Sequence, residues 1–260
     1  MDVGPTLTGR PPQVVAHRGS SAAEPEHTLA AYRRAIAEGA DAVECDVRLT
    51  ADGELVCIHD RTVDRTSDGR GVVSELSYGD LLALDFGQGR GPTSEILLLR
   101  DLLTLLLEAP RRVDIAIETK HPVKQGWHLE ESLVSVLQDL GLDAPEPHQP
   151  HVRVMSFSVR AVRRIGRLLP GLPRVLLCEL GINPAVRAGR LPDGVPIVGI
   201  SASLLRRDPD IVVRHHARGH QVHVYTVDRA EDVERCLRSG VDAIITNRPA
   251  LIRAAVDAAS

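Results

Sequence analysis

The sequence predicts an α/β protein, a (β/α)8 barrel (TIM barrel) with a small insertion after the second strand. Three observations predict it. Eight short runs rich in Val and Ile alternate with amphipathic stretches, the connections are short, and several helical stretches close on a glycine that leads straight into the next strand. Strand–helix alternation with short links demands parallel pairing and right-handed crossovers, and eight such units close on themselves. No Gly-rich dinucleotide fingerprint accompanies the first strand, which argues against an open doubly wound sheet.

The elements follow in order. The first strand is VVAH (14–17), and LAAYRRAIAEG (29–39) is an amphipathic helix capped by Gly39 before the strand DAVECDV (41–47). The segment from about 48 to 100 breaks the rhythm. RLTADGELVCIHD reads as a hairpin around residues 51–53, and a Gly-, Ser- and Thr-rich stretch precedes LSYGDLLALDFG. An insertion here sits on the face where barrel enzymes keep their chemistry. The most apolar run, ILLLRDLLTLLLEA (96–109), is interrupted by Arg100 and Asp101, is too short to span a bilayer, and reads as a core helix. Then come the strand VDIAIE (113–118), the helix LEESLVSVLQDLG (129–141), the strand VRVMSF (152–157), the helix VRAVRRIGRLL (159–169) and the strand PRVLLC (173–178). Between 178 and 196 little more than a turn at NPAVRAG is expected. PIVGI (196–200), QVHVYTV (221–227) and DAIIT (242–246) are the remaining strands, with helices at 208–219, 230–240 and 249–259. Residues 1–12 read as a flexible leader and 13–256 as one domain.

Composition narrows the function. With 35 acidic and 31 basic residues the net charge is −4, so no strong field invites nucleic acid or an anionic membrane. Lysine occurs only at Lys120 and Lys124 among a majority of arginines, which marks either lysine for a specific task. Cys45, Cys57, Cys178 and Cys236 stand far apart, so neither a zinc ribbon nor a disulfide framework is signalled. The N-terminus lacks a charged region followed by an apolar core, and a cytoplasmic, reducing location is expected.

Polar residues gather at the C-terminal ends of the strands. Glu44 and Asp46 alternate with Val43, Cys45 and Val47, which puts both carboxylates on one side, ~7 Å apart along the strand. Glu118 and Lys120 have the same parity at the end of the third strand. His17 ends the first strand and His59 ends the ribbon LVCIHD. Any one of these residues alone is most simply a cap, an ion pair or a hydrogen-bonded histidine. Their coincidence on one rim is different, because three carboxylates do not share a site unless a cation offsets their repulsion. Oxygen donors favour Mg²⁺, Ca²⁺ or Mn²⁺ over zinc. His223 shares parity with Tyr225 and is a minor candidate; His121, His148, His151, His215 and His216 are expected at the surface.

His17-Arg18-Gly19, Pro25-Glu26-His27-Thr28, Glu44-Cys45-Asp46-Val47, His59-Asp60 and Glu118-Thr119-Lys120, in that order and spacing, resemble the motif series of the glycerophosphodiester phosphodiesterases. Ser156-Phe157, Val224-Tyr225-Thr226-Val227 and the segment 240–249 extend the resemblance over about residues 13–255. It implies a barrel with an insertion, one divalent cation, and hydrolysis of small glycerophosphodiesters to sn-glycerol 3-phosphate and an alcohol. It further implies that Glu44, Asp46 and Glu118 hold the metal, His17 and His59 form the acid/base pair, and Arg18 and Lys120 hold the phosphate. Three residues depart from the family pattern: His27 replaces an Asn, Tyr225 a Trp that walls the substrate, and Asn247 an Asp. Two rival functions remain: a lysophospholipase D-like enzyme acting on acyl lipids, which requires an exposed apolar rim near the insertion, where the apolar residues of 60–95 are expected to pack the insertion itself, and a non-catalytic phosphodiester-binding barrel.

Overall fold

A computed structural model of the chain describes residues 11–90, 93–123 and 126–259; apart from Pro11 and Pro12, the expected leader lies outside them. Eight parallel strands close a barrel: β1 (Gln13–His17), β2 (Ala42–Leu49), β4 (Asp114–Thr119), β5 (Val152–Ser156), β6 (Arg174–Cys178), β7 (Ile197–Ser201), β8 (Gln221–Tyr225) and β9 (Ala243–Thr246). β1 closes the ring by pairing with both β2 and β9. A short ninth strand, β3 (Leu55–Cys57), runs antiparallel to the end of β2, with Leu49 opposite Leu55.

The strands are buried along most of their length because helices cover the outer face and side chains fill the lumen. Val15, Ala42, Ala116, Met155, Val175, Ile197 and Ile245 pack as one cluster inside the ring. Outside it, α1 (Leu29–Ala37), α3 (Leu99–Leu107), α4 (His128–Asp139) and α5 (Val159–Leu168) lay their apolar stripes over the first half of the sheet. Leu99, Leu102, Leu103 and Leu106 are wholly or almost wholly buried, each contributing roughly 1.5–3 kcal/mol of transfer free energy. α9 (Ala230–Ser239) ends on Gly240 at φ 66°, the left-handed cap its sequence signals.

Between β2 and α3 the hairpin leads into a 3-10 turn at Val73–Glu75 and α2 (Tyr78–Leu82), whose start is fixed by a Ser77–Asp80 capping box. Val56, Ile58, Val63, Val73, Leu81, Phe86 and Ile96 give this segment its own small core.

Four local expectations are corrected. The helix expected at 208–219 is shorter, α8 (Ile211–His216), and a separate helix not expected, α7 (Ala202–Arg207), precedes it; the two are divided at Asp208, which precedes Pro209 and is forced out of helical geometry, at φ −143° and ψ 73°. The stretch 178–196 contains a short helix, α6 (Pro184–Arg187), capped by the Asn183 side chain. His215 is not at the surface: it is fully buried, and its Nε2 lies 2.9 Å from the Val186 carbonyl oxygen. His223 is not at the expected rim either. It lines a cavity at the opposite, N-terminal end of the barrel with Gln13, Asp114 and Arg153, because its strand position is two residues upstream of Tyr225. The remaining helix, α10 (Pro249–Ala259), packs on β1 and β9.

Candidate active site

Strand register explains why distant residues meet. His17 lies opposite Glu44 in the β1–β2 pair, and Asp46 lies opposite Glu118 in the β2–β4 pair. Period-two alternation then turns Glu44, Asp46 and Glu118 into the mouth together, with donor oxygens within 4.8 Å of one another, all three buried.

The positive groups are held against this cluster. Lys120 Nζ donates to Glu118 Oε1 at 2.8 Å and lies 2.9 Å from Asp46 Oδ1. Arg18 Nε lies 3.1 Å from Asp46 Oδ2, and its Nη1 donates to Glu26 Oε1 at 3.0 Å. Arg18 sits at φ 58°, an uncommon conformation for a residue with a side chain, and its backbone N–H donates to both the carbonyl and the carboxylate of Glu44. The following Gly19, at φ 80°, passes so close to α1 that a Cβ would stand 2.7 Å from the Ala31 backbone.

Charge compensation is incomplete. Burial, reinforced by the Asp46 carboxylate, raises Glu118 to about 7 despite Lys120. Burial and Asp46 likewise push Glu44 well above the usual carboxylate range. For Asp46 burial acts in the same direction, but the His27 hydrogen bond and the charges of Lys120 and Arg18 outweigh it and hold the carboxyl well below its ordinary value. Asp46 Oδ1 is buried and, although Lys120 is near, accepts no hydrogen bond of acceptable geometry.

The two histidines have different partners. His17 Nδ1 is 2.7 Å from Asn247 Oδ1, whereas His59 Nδ1 is 2.7 Å from the Asp60 carboxylate. Burial and then Arg18 lower His17 to about 4. Burial lowers His59 too, with Lys120 and Arg18 adding to the effect and Asp46 opposing it. Both imidazoles thus face the same buried charges. The His59 backbone carbonyl is gripped by Arg48, which donates to it from Nε and Nη2 at 3.0 and 2.9 Å.

His27 fills the place of the family's Asn. It is buried, at φ 61°; Nε2–H donates to Asp46 Oδ2 at 3.0 Å, and Nδ1 lies 2.8 Å from the Tyr32 hydroxyl, which is also 3.2 Å from the Glu44 carbonyl oxygen. An imidazole therefore steadies the Asp46 carboxylate. Tyr225 turns its hydroxyl away to the Cys178 carbonyl, 2.8 Å distant, and packs edge-on against Phe157, so it offers the mouth a ring.

Several residues around the site carried no legible role in the sequence. Arg65 ties the insertion to the rim by donating to both Asp60 and Glu26. Asp228 holds Asn247, and Ser21 donates to the same Asn247 oxygen. Asp60 is the exception, since its place beside His59 in the quoted motif could have flagged it.

Fold and site together define a barrel enzyme with two histidines, three carboxylates, an arginine and a lysine gathered at its C-terminal rim. The chain belongs to the Glycerophosphoryl diester phosphodiesterase family, which it matches over residues 17–251, and is a phosphodiesterase by class. It is 44% identical over 254 residues to a "Probable glycerophosphodiester phosphodiesterase 1" of Mycobacterium tuberculosis, covering 94% of this chain and 92% of that one. It is 33% identical over 239 residues to a glycerophosphodiester phosphodiesterase of Caldanaerobacter subterraneus, covering 91% of this chain and 94% of that one. Among solved structures, an Oleispira antarctica phosphodiesterase in complex with the product sn-glycerol-3-phosphate superposes with a TM-score of 0.79 at 26% identity, over 95% of this chain and 97% of that one.

Proposed function

We propose that the protein hydrolyses glycerophosphodiesters, such as glycerophosphocholine or glycerophosphoethanolamine, to sn-glycerol 3-phosphate and an alcohol, using one bound divalent cation. The observation that carries this reading is the buried trio Glu44, Asp46 and Glu118, with donor atoms within 4.8 Å, in a chain of this family. The residues fit a cation: three buried carboxylates converge, and burial together with the Asp46 charge raises Glu44 and Glu118 even though Arg18 and Lys120 lie against the cluster. An all-oxygen donor set suits Mg²⁺ or Ca²⁺, with Mn²⁺ also compatible. Bound there, such an ion supplies Lewis-acid neutralisation of the phosphate charge.

The side chains of this protein do the rest. Arg18 and Lys120 meet the phosphoryl oxygens, and their charge offsets the negative charge that builds as phosphorus is attacked. His17, kept unprotonated by its burial and with Nδ1 engaged by Asn247, takes the proton of the attacking hydroxyl at Nε2. His59, whose contact with Asp60 opposes the lowering by burial, gives a proton to the departing alkoxide. The Tyr225 ring walls the substrate. Residues 13–256 act as one catalytic domain, with the segment at about 48–100 as the insertion beside its mouth.

The test is release of glycerol 3-phosphate from a panel of glycerophosphodiesters with Mg²⁺, Ca²⁺ or Mn²⁺, and its loss with chelator. No product from any substrate with any of the three ions sinks the reading, and tight substrate binding without product favours a non-catalytic barrel. One observation supports a second substrate class. Leu180 and Phe157 are each 45% exposed and line a groove with Val159 and Ile182, with Tyr225 packed against Phe157; the groove lies outside the insertion, where the acyl-lipid reading expected its rim. Turnover of lysolipid micelles exceeding that of soluble diesters supports the acyl-lipid reading. All four thiols are free and buried, which supports a cytoplasmic location; no helix among the described residues is long and apolar enough to cross a membrane.

A further inference from the structure

We propose that Asp228 is a positioning residue for His17, acting through the side-chain amide of Asn247. This inference rests on the reading of His17 as the proton-accepting imidazole. Asp228 follows β8 and Asn247 follows β9, and their carboxylate and amide are locked face to face. Asp228 Oδ2 accepts from Asn247 Nδ2 at 2.6 Å, while Oδ1 accepts from the Asn247 backbone N–H at 2.8 Å and from the Thr246 hydroxyl at 2.9 Å. A carboxylate offers only acceptors, so the NH2 group of Asn247 must face it and the amide cannot flip. The Asn247 oxygen is then committed to the other side, where it meets His17 Nδ1 at 2.7 Å and the Ser21 hydroxyl at 2.8 Å. The backbone is pinned as well, because Ala22 N–H donates to the Asn247 carbonyl at 3.1 Å.

An acceptor fixed opposite Nδ1 demands that Nδ1 carry the hydrogen. Neutral His17 is therefore held as the tautomer with a bare Nε2, the nitrogen that receives a proton. The amide transmits hydrogen-bond polarity without placing a carboxylate against the ring. His17 thus differs from His59, whose Nδ1 touches Asp60 directly. The other charged or titratable groups around His17 include Arg18 on the same loop, His27 ahead of α1, Asp46 on β2 and Glu44, its cross-strand partner on β2.

Three variants of the metal-loaded enzyme test the relay. Asp228→Asn presents only one acceptor to three donors, so the Asn247 amide is free to flip and offer its NH2 to His17. Expected is a fall in kcat of ~100-fold with KM little changed, the scale of a lost general base. Asn247→Asp alone sets two carboxylates face to face and is expected to lose activity too. The exchange Asp228→Asn with Asn247→Asp restores the donor–acceptor order, now with a carboxylate on Nδ1. It is expected to recover most of kcat together with the Nδ1–H tautomer of His17, because an acceptor again faces Nδ1. The ¹⁵N shifts of the His17 imidazole read the tautomer without any turnover: Nδ1–H in the wild type and a shift toward Nε2–H in Asp228→Asn. Unchanged tautomer and kcat in Asp228→Asn, or an exchange variant no better than either single change, overturns the relay. An unchanged wild-type tautomer signature in a protein with no diesterase activity would instead overturn the proposed function while sparing the lock.

Discussion

Cation binding should release protons, and the structure sets the scale. In the metal-free chain Glu118 titrates at about 7, raised by burial and by Asp46 against the opposing pull of Lys120. A cation requires the carboxylate, so below that pH it must displace a proton. For one group at about 7 the apparent dissociation constant is weakened ~11-fold at pH 6 and ~1.1-fold at pH 8, a ratio of ~10, or about 1.4 kcal/mol. Glu44, raised in the same direction, steepens the trend. At pH 6.5 Glu118 alone should give up ~0.8 proton per ion bound. Isothermal titration of Mg²⁺ or Ca²⁺ into the protein, in two buffers of different ionisation enthalpy, counts those protons. The same titration at pH 6 and pH 8 gives the affinity ratio. Affinity that stays constant across this interval, with no buffer-dependent heat, would refute the placement of the ion among these carboxylates; Glu44→Ala should weaken the affinity at either pH.

Three further predictions concern catalysis and stability. His17→Ala and His59→Ala should each lower kcat by ~10²–10⁴ with the thermal midpoint nearly unchanged, as measured by product release and calorimetry; near-full activity in either variant removes that histidine from the mechanism. Glu130 is fully buried on α4 between His121 Nε2, at 2.5 Å, and Arg164 Nη1, at 2.7 Å, so Glu130→Gln should cost about 2 kcal/mol in urea unfolding and leave kcat unchanged. Gly19→Ala should destabilise by about 1–3 kcal/mol and also reduce turnover, since the added Cβ meets Ala31 at 2.7 Å and displaces the turn carrying His17 and Arg18; a wild-type midpoint would show that the turn yields freely.

Much of the site's scaffold is legible locally. VECDV and IET alternate polar with apolar residues, and a two-residue period turns alternate side chains to one face whatever the partner strand is. The same period, read without the barrel, misplaced His223. Parity tells which face a residue takes but not how deep along the strand it lies, and two residues were enough to put His223 at the other end. The buried His215 escaped detection for a related reason. Its helix periodicity was visible, but the short helix α6 that covers it was not.

Taken alone, the sequence determined the alternation of strands and helices, the barrel class, the hairpin after β2 and the set of carboxylates and histidines at strand ends. Each of these depends on spacing within a few residues, which backbone geometry converts directly into direction. Only the tertiary structure decided the partners. His17 meets Asn247 across 230 residues of sequence because β1 closes the ring against β9. Arg65 bridges to Glu26 across 39 residues because the insertion folds back over the rim. His27 reaches Asp46, and Asp228 fixes the Asn247 amide, because adjacent strand ends bring their loops within hydrogen-bond range. Such contacts are set by barrel closure and loop packing, and no linear pattern encodes the few ångströms that decide which nitrogen of His17 bears its proton.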